Sequence, residues 1–205
     1  GGQPNCTIQY SDGYIYTGFW NSETKDANFV CVSATDEDPD NPTETKYATW
    51  TYAVQGGFYW AGAYVTDKYA IVGSDDGESD STSDSSYVYC FDKLTGEVVQ
   101  KVGPHHGDIR SDISYYDGRI YFTSKGGYLY SYNLKEDGTI DTENLIEPIE
   151  IGKMSTSTPA IANGRCYVGS SYGSNFSGTY GISVVDINEE TGAMSLEYVV
   201  YTDAY

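Results

Sequence analysis

The chain is short of leucine, of positive charge and of long apolar runs. Five leucines in 205 residues cannot line the apolar stripes of a helix bundle. Eleven Lys and Arg against 30 Asp and Glu leave a formal net charge of −19. No basic stripe is then available to displace counterions from phosphates, which excludes nucleic acid as a partner. No apolar run approaches the roughly 18 residues that a membrane-spanning helix requires. What is plentiful points one way. Twenty-two tyrosines, with Val, Ile and Thr, are strand formers, and 23 glycines, with Asn, Asp and Ser, are turn formers, so the composition reads as all-β. A length near 200 supports one sizeable core, which makes the acidity a property of the surface.

Four segments share one strand–turn–strand phrase: Thr7–Gly18, Ala63–Ser74, Ile113–Ser124 and Pro159–Ser170. Each joins two alternating runs through Asp12-Gly13, Asp67-Lys68, Asp117-Gly118 or Asn163-Gly164. Asn-Gly and Asp-Gly are strong hairpin signals because a type I′ turn needs positive φ at both central residues. The closing positions Gly18, Gly73, Thr123 and Gly169 lie 55, 50 and 46 residues apart. After each phrase come a polar insert, a third strand (Phe29–Ala34, Tyr87–Asp92, Tyr128–Asn133, Gly181–Asp186), a turn or loop, and a fourth strand (Tyr47–Tyr52, Glu97–Val102, Ile146–Ile151, Met194–Tyr201). Four antiparallel strands repeated about every fifty residues form the unit of a β-propeller blade. The expectation is a single all-β propeller domain over 1–205, with blades near 3–54, 55–104, 105–153 and 154–205.

The phrase hydrophobic–Asp-Gly–Ile-Tyr-Val-Gly-Ser, followed by Gly-x-Leu-Tyr-x-Tyr-Asn or Val-Tyr-Cys-Phe-Asp and then Lys-Leu-Thr-Gly-Glu, resembles the PQQ-like repeat of quinoprotein-type propellers. The resemblance spans essentially the whole chain. It implies a family containing both quinone-dependent dehydrogenases and non-enzymatic scaffolds, whose propellers usually have seven or eight blades. Four repeats therefore look like half a propeller: the chain is expected to be a fragment of a longer protein or, next, half of a homo-oligomer that completes the ring, with four blades closing alone as the third alternative. The chain departs from the enzymes of the family in lacking an adjacent Cys-Cys pair. The family tryptophan that docks a neighbouring blade is represented only by Trp50.

In a propeller the tight hairpin turns share one rim. The long inserts and interblade segments share the other, and ligand sites are expected on that loop-rich face. Trp20, Tyr59, Trp60 and Tyr172 fall there, with Phe19, Phe58, Phe176 and Tyr180. Such rings could stack on a sugar or anchor a protein partner, or could pack between blades. The segment 103–110 adds His105, His106 and Arg110 as candidate ligand residues; with Asp108 and Asp112 the two histidines could hold a metal. Adjacent histidines point opposite ways on an extended strand, so both reaching one ion requires a turn.

Asp75, Asp76, Glu78 and Asp80 form the leading candidate calcium loop, since carboxylates alternating with Gly begin oxygen-rich calcium sites. It lacks the spaced terminal Glu, and the loops at Asp36–Glu44 and Asp137–Glu143 are similarly partial; solvated loop is the competing reading. Cys6, Cys31, Cys90 and Cys166 show no disulfide framework and are expected as buried free thiols. Sequons stand at Asn5 and Asn175. The leading functional expectation is a non-catalytic binding or scaffolding propeller, extracellular or on a bacterial surface, engaging a protein or a carbohydrate. A quinone- or metal-dependent dehydrogenase fragment, or a subunit assembling through blade edges, are the alternatives.

Overall fold

The computed structural model describes residues 2–79, 82–173 and 179–201. Asp80 of the candidate calcium loop, and Asn175 and Phe176, lie outside these residues. The described chain forms four four-stranded antiparallel sheets in simple meander order, each one propeller blade. Blade 1 is β1 (Gln9–Ser11), β2 (Tyr14–Gly18), β3 (Asp26–Ser33) and β4 (Trp50–Gln55). Blade 2 is β5 (Tyr64–Val65), β6 (Tyr69–Gly73), β7 (Ser86–Asp92) and β8 (Val98–His105). Blade 3 is β9 (Ser114–Tyr116), β10 (Arg119–Thr123), β11 (Tyr128–Asn133) and β12 (Ile149–Glu150). Blade 4 is β13 (Ala160–Ala162), β14 (Arg165–Ser171), β15 (Tyr180–Ile187) and β16 (Met194–Tyr201).

Three of the four first hairpins carry the turn that their sequence demands. Asp12, Asp117 and Asn163 take φ of 49°, 47° and 53°, each followed by a glycine at 71° to 84°. Lys68 has no such freedom, and that hairpin is capped instead by the Thr66 hydroxyl, which accepts from the amides of Lys68 and Tyr69. Two fourth strands differ from expectation. Strand β4 begins at Trp50, leaving Tyr47 exposed in the preceding loop. Strand β12 is cut to two residues, because Pro148 just before it has no amide hydrogen to offer the ladder.

Alternate side chains bury on opposite faces, so each blade contributes to two cores. Tyr16, Phe29, Cys31 and Trp50 pack with Ala70, Val72, Tyr89 and Phe91 between blades 1 and 2. Ile71, Val88 and Cys90 meet Ile120, Phe122 and Tyr130 between blades 2 and 3. Tyr121, Leu129 and Ile151 meet Cys166, Val168 and Val185 between blades 3 and 4. All four cysteines are buried and unpaired. Trp50 does dock the next blade: its ring lies over Gly96 of the Thr95-Gly96 turn, and its Nε1–H donates to the Lys93 carbonyl at 2.9 Å.

Backbone latches stitch the blades together on the loop-rich rim. The amides of Trp20, Asp75, Lys125 and Ser171, equivalent positions in the four blades, donate to the carbonyls of Gln3, Gly57, Asp108 and Met154 at 2.9–3.2 Å. The amides of Phe58, Ile109 and Ser155 answer by donating to the carbonyls of Phe19, Ser74 and Ser124 in the preceding blade. Interblade connectors are thereby tied by backbone hydrogen bonds to the blades on either side.

Candidate functional site

Those latches bring one group of side chains together on the rim of blades 1 to 3. Trp20 follows β2, and Tyr59 and Trp60 lie on the connector from β4 to β5. Trp20 stacks on Tyr59 at 4.5 Å between centroids, and Tyr59 on Trp60 at 4.3 Å, giving a three-ring ladder. Consecutive residues can stack here because Trp60 adopts a left-handed backbone with φ of 60°. A bulky residue holds such a conformation only where its surroundings impose it. Trp60 is the outer rung, 41% exposed.

Arg110, on the connector from β8 to β9, backs the ladder. Its guanidinium carbon lies 4.5 Å from the Tyr59 ring centroid and 6.0 Å from that of Trp60. The guanidinium is buried and sits among three carboxylates. Nε and Nη2 donate to Asp75 at 3.1 and 2.7 Å, Nη2 donates to Glu23 at 2.8 Å, and Asp108 Oδ2 also lies 2.7 Å from Nη2. Lys125 Nζ approaches the same Asp108 oxygen at 3.5 Å. One Nη2 carries two hydrogens for three carboxylates. Asp108 Oδ2 is the oxygen left without a hydrogen bond, while Asp108 Oδ1 accepts from the Asp76 amide at 3.0 Å.

The electrostatics follow from burial and this crowding. Burial, with the neighbouring Asp108 charge, raises the Asp75 carboxyl well above its ordinary range even against Arg110. Burial pushes Asp108 up to about 7, opposed by the Arg110 charge. For Arg110 burial alone favours the neutral form, but Asp75, Asp108 and Glu23 outweigh it and hold the guanidinium charged.

Of the residues singled out from the sequence, Trp20, Tyr59, Trp60, Arg110, Asp75 and Asp108 converge. The others do not. His105 is buried between blades 2 and 3, edge-on to Phe122 and Tyr130, with Nε2 2.9 Å from the Tyr132 hydroxyl. Burial lowers its pKa to about 4, the behaviour of a core histidine rather than a solvent-facing ligand. His106 points the opposite way, its Nδ1 2.7 Å from Asp84, so the pair cannot share an ion. Tyr172 lies on blade 4, bonded through its hydroxyl to Ser183 and edge-on to Tyr201.

The candidate calcium loop also separates. Asp76 turns onto its own loop, accepting from the amides of Glu78 and Ser83 and from the Ser83 hydroxyl, whereas Asp75 points to Arg110. Glu78 is exposed. Among the described residues the carboxylates that converge are Glu23, Asp75 and Asp108, within 4.8 Å of one another. Calcium takes about six to eight oxygens; here the centre of the three is filled by Arg110 Nη2, and the set does not fit the ion. Asp108 was visible in sequence as a neighbour of the histidines, but nothing in the sequence linked Glu23 or Lys125 to Arg110.

No protein-family model and no curated protein matches the chain. Solved structures do. BamB from Moraxella catarrhalis is 17% identical with a TM-score of 0.55, the match covering 93% of this chain and 48% of that one. A europium-containing methanol dehydrogenase is 17% identical with a TM-score of 0.50, covering 73% of this chain and 26% of that one. A chain of the mitotic checkpoint complex is 8% identical with a TM-score of 0.61, covering 96% of this chain and 53% of that one. The chain thus spans about half the length of BamB and of the checkpoint chain, and less of the dehydrogenase. At these identities the likeness establishes the β-propeller fold.

Proposed function

We propose that the chain is a binding or scaffolding propeller of the PQQ-like-repeat type, displayed outside a bacterial cell, which captures a protein partner on the Trp60 ladder. The observation that carries this reading is the preorganised stack of Trp20, Tyr59 and Trp60, clamped from behind by a buried guanidinium and ending in a half-exposed indole. Trp is one of the side chains enriched at the energetic centres of protein interfaces. Its entropic cost on binding is small, because the ring is already fixed. The surrounding acidity suits a partner segment carrying Lys or Arg. The neighbours support a protein partner to this extent: one of them is a component of a protein complex.

A stacked indole flanked by carboxylates is also suited to a sugar ring, and that second reading rests on the same geometry. Parallel peptide and glycan arrays probed with wild type and Trp60→Ala separate the two. The reading expects at least one ligand bound by wild type and weakened tenfold or more by Trp60→Ala, about 1.4 kcal/mol. Ligands that bind the two proteins equally would place the interface elsewhere.

A further inference from the structure

Away from the ladder, the interfaces of blades 1 with 2 and of blades 2 with 3 share a pair of rings. Tyr87 and Tyr89 of β7 occupy the positions of Tyr128 and Tyr130 of β11, because Val88 opposite Gly73 corresponds to Leu129 opposite Thr123. Two residues apart, the rings of each pair lie on one face of their strand. Each pair forms a corner, with centroids 6.4 and 6.0 Å apart and planes inclined at 59° and 41°.

What covers the corner differs. Between blades 2 and 3 the preceding connector supplies two imidazoles: His105 lies edge-on to Tyr130 at 4.8 Å and His106 edge-on to Tyr128 at 6.0 Å. The latches equate Asp108 with Gly57, so His105 and His106 correspond to Val54 and Gln55. Val54 carries no ring, and the Gln55 amide turns to donate to the Gly77 carbonyl at 2.9 Å. A cavity of about 280 Å³ is left beside Tyr87 and Tyr89, bordered also by Tyr52, Gln55, Asp76 and Lys101. Tyr52, from β4 of blade 1, adds a third ring, its centroid 5.5 Å from that of Tyr89.

An ammonium group already sits in this corner. Lys101, on β8 opposite Tyr89, places its Nζ 3.9 Å from the Tyr87 centroid and 5.7 Å from that of Tyr89. Lys101 is an exposed residue on a flexible four-carbon stem, and among the described residues no carboxylate pairs with it. The ring faces therefore hold the cation, and the stem leaves it free to swing out.

We infer that the corner of Tyr52, Tyr87 and Tyr89 is a binding site for an organic ammonium ion, and that Lys101 is its internal occupant, displaced when the ligand enters. Ring faces attract cations, and quaternary ammonium groups are ligands of such aromatic corners. The net charge of −19 draws cations toward the surface around the cavity. An uncharged ligand of the same shape lacks the attraction that Lys101 itself uses.

Choline is the probe, titrated at constant ionic strength and followed by calorimetry and by its methyl proton resonance. Wild type should bind it, and Lys101→Ala should bind about three- to sixfold more tightly, the gain expected when a surface cation–π contact no longer competes. In wild type the Lys101 ε-methylene protons, shielded by the Tyr87 ring, should move downfield as choline saturates the site. Dimethylbutanol, the uncharged isostere, should bind about tenfold more weakly than choline. Tyr87→Leu should weaken choline by a similar factor. Tyr52→Leu, on the other blade, carries the same expectation should Tyr87→Leu fail to fold, and circular dichroism verifies each variant. Choline affinity unchanged by Lys101→Ala, equal binding of the uncharged isostere, or Lys101 protons unmoved at saturation would each overturn the inference. So would loss of choline binding in Trp60→Ala, which would put the cation on the indole ladder. The site and its test stand apart from any ligand captured at Trp60.

Discussion

Replacing Asp108 by Asn should flatten part of the pH dependence of stability, and the direction of that change follows from the site. Asp108 is fully buried, its Oδ2 lacks a hydrogen bond, and its pKa is pushed from an ordinary 3.8 to about 7. A carboxyl with a raised folded pKa contributes stability that is complete below its unfolded value and is lost as pH climbs to the folded one. Each tenfold change in proton affinity is about 1.4 kcal/mol, so the window from pH 3.8 to about 7 sets a ceiling of roughly 4 kcal/mol. The burial-raised Asp75 works in the same direction. His105 works in the opposite one. Its pKa is lowered to about 4 from 6.5, so its contribution is present above pH 6.5 and is lost toward pH 4. The two slopes overlap, and wild type alone will show little net trend through that range. The informative quantity is the difference between wild type and Asp108→Asn in urea unfolding at constant ionic strength. Asn keeps the Oδ1 that accepts from the Asp76 amide. Relative to wild type, the variant should gain stability steadily from pH 4 to pH 7 and then level off. A difference that does not vary with pH, or one in which wild type gains, would mean that Asp108 is ionised throughout and paired fully by Arg110.

Arg110→Ala should leave Glu23 and Asp75 without a cation and Asp108 with Lys125 alone, at a cost of about 3–5 kcal/mol in chelator. Terbium should then enter the vacated centre and be sensitised by the nearby indoles; luminescence that is equal in wild type and variant would contradict the idea that Nη2 occupies the cation position. Gly73→Ala places a methyl group onto Ile109. It should destabilise by roughly 1–3 kcal/mol in chemical unfolding, and a loss under about 0.5 kcal/mol would mean that the connector is free to yield.

The repeats were legible because they obey local rules. Asp12-Gly13, Asp117-Gly118 and Asn163-Gly164 announce their turns chemically, and Trp50 and the strand tyrosines follow the period of two. The same locality limited the reading of the site. Asp75, Asp76 and Glu78 look like one loop in sequence, yet extension of the chain sends adjacent side chains apart, so Asp75 joins residues 52 positions before it and 33 after it. His105 and His106 divide for the same reason, one into the core and one to solvent. Glu23 sits in an insert of no periodicity, and only the closure of blade 1 onto blade 2 brings it to Arg110.

The position of the site within the repeat has a physical basis. The latches that hold the loop-rich rim use backbone N–H and C=O alone, and one donor of each blade is Trp20, Asp75, Lys125 or Ser171. The fold therefore constrains the main chain at these four positions and leaves the identity of the residue open. Three of the four carry the chemistry of the site: an aromatic rung, an acid against Arg110, and a base against Asp108. The strand positions have no such latitude, because Tyr16, Ile71 and Tyr121 must fill an interblade core. A repeat built in this way can vary its rim without disturbing its packing. The Trp60 ladder and its carboxylate clamp accordingly span three blades while the four sheets beneath them remain alike.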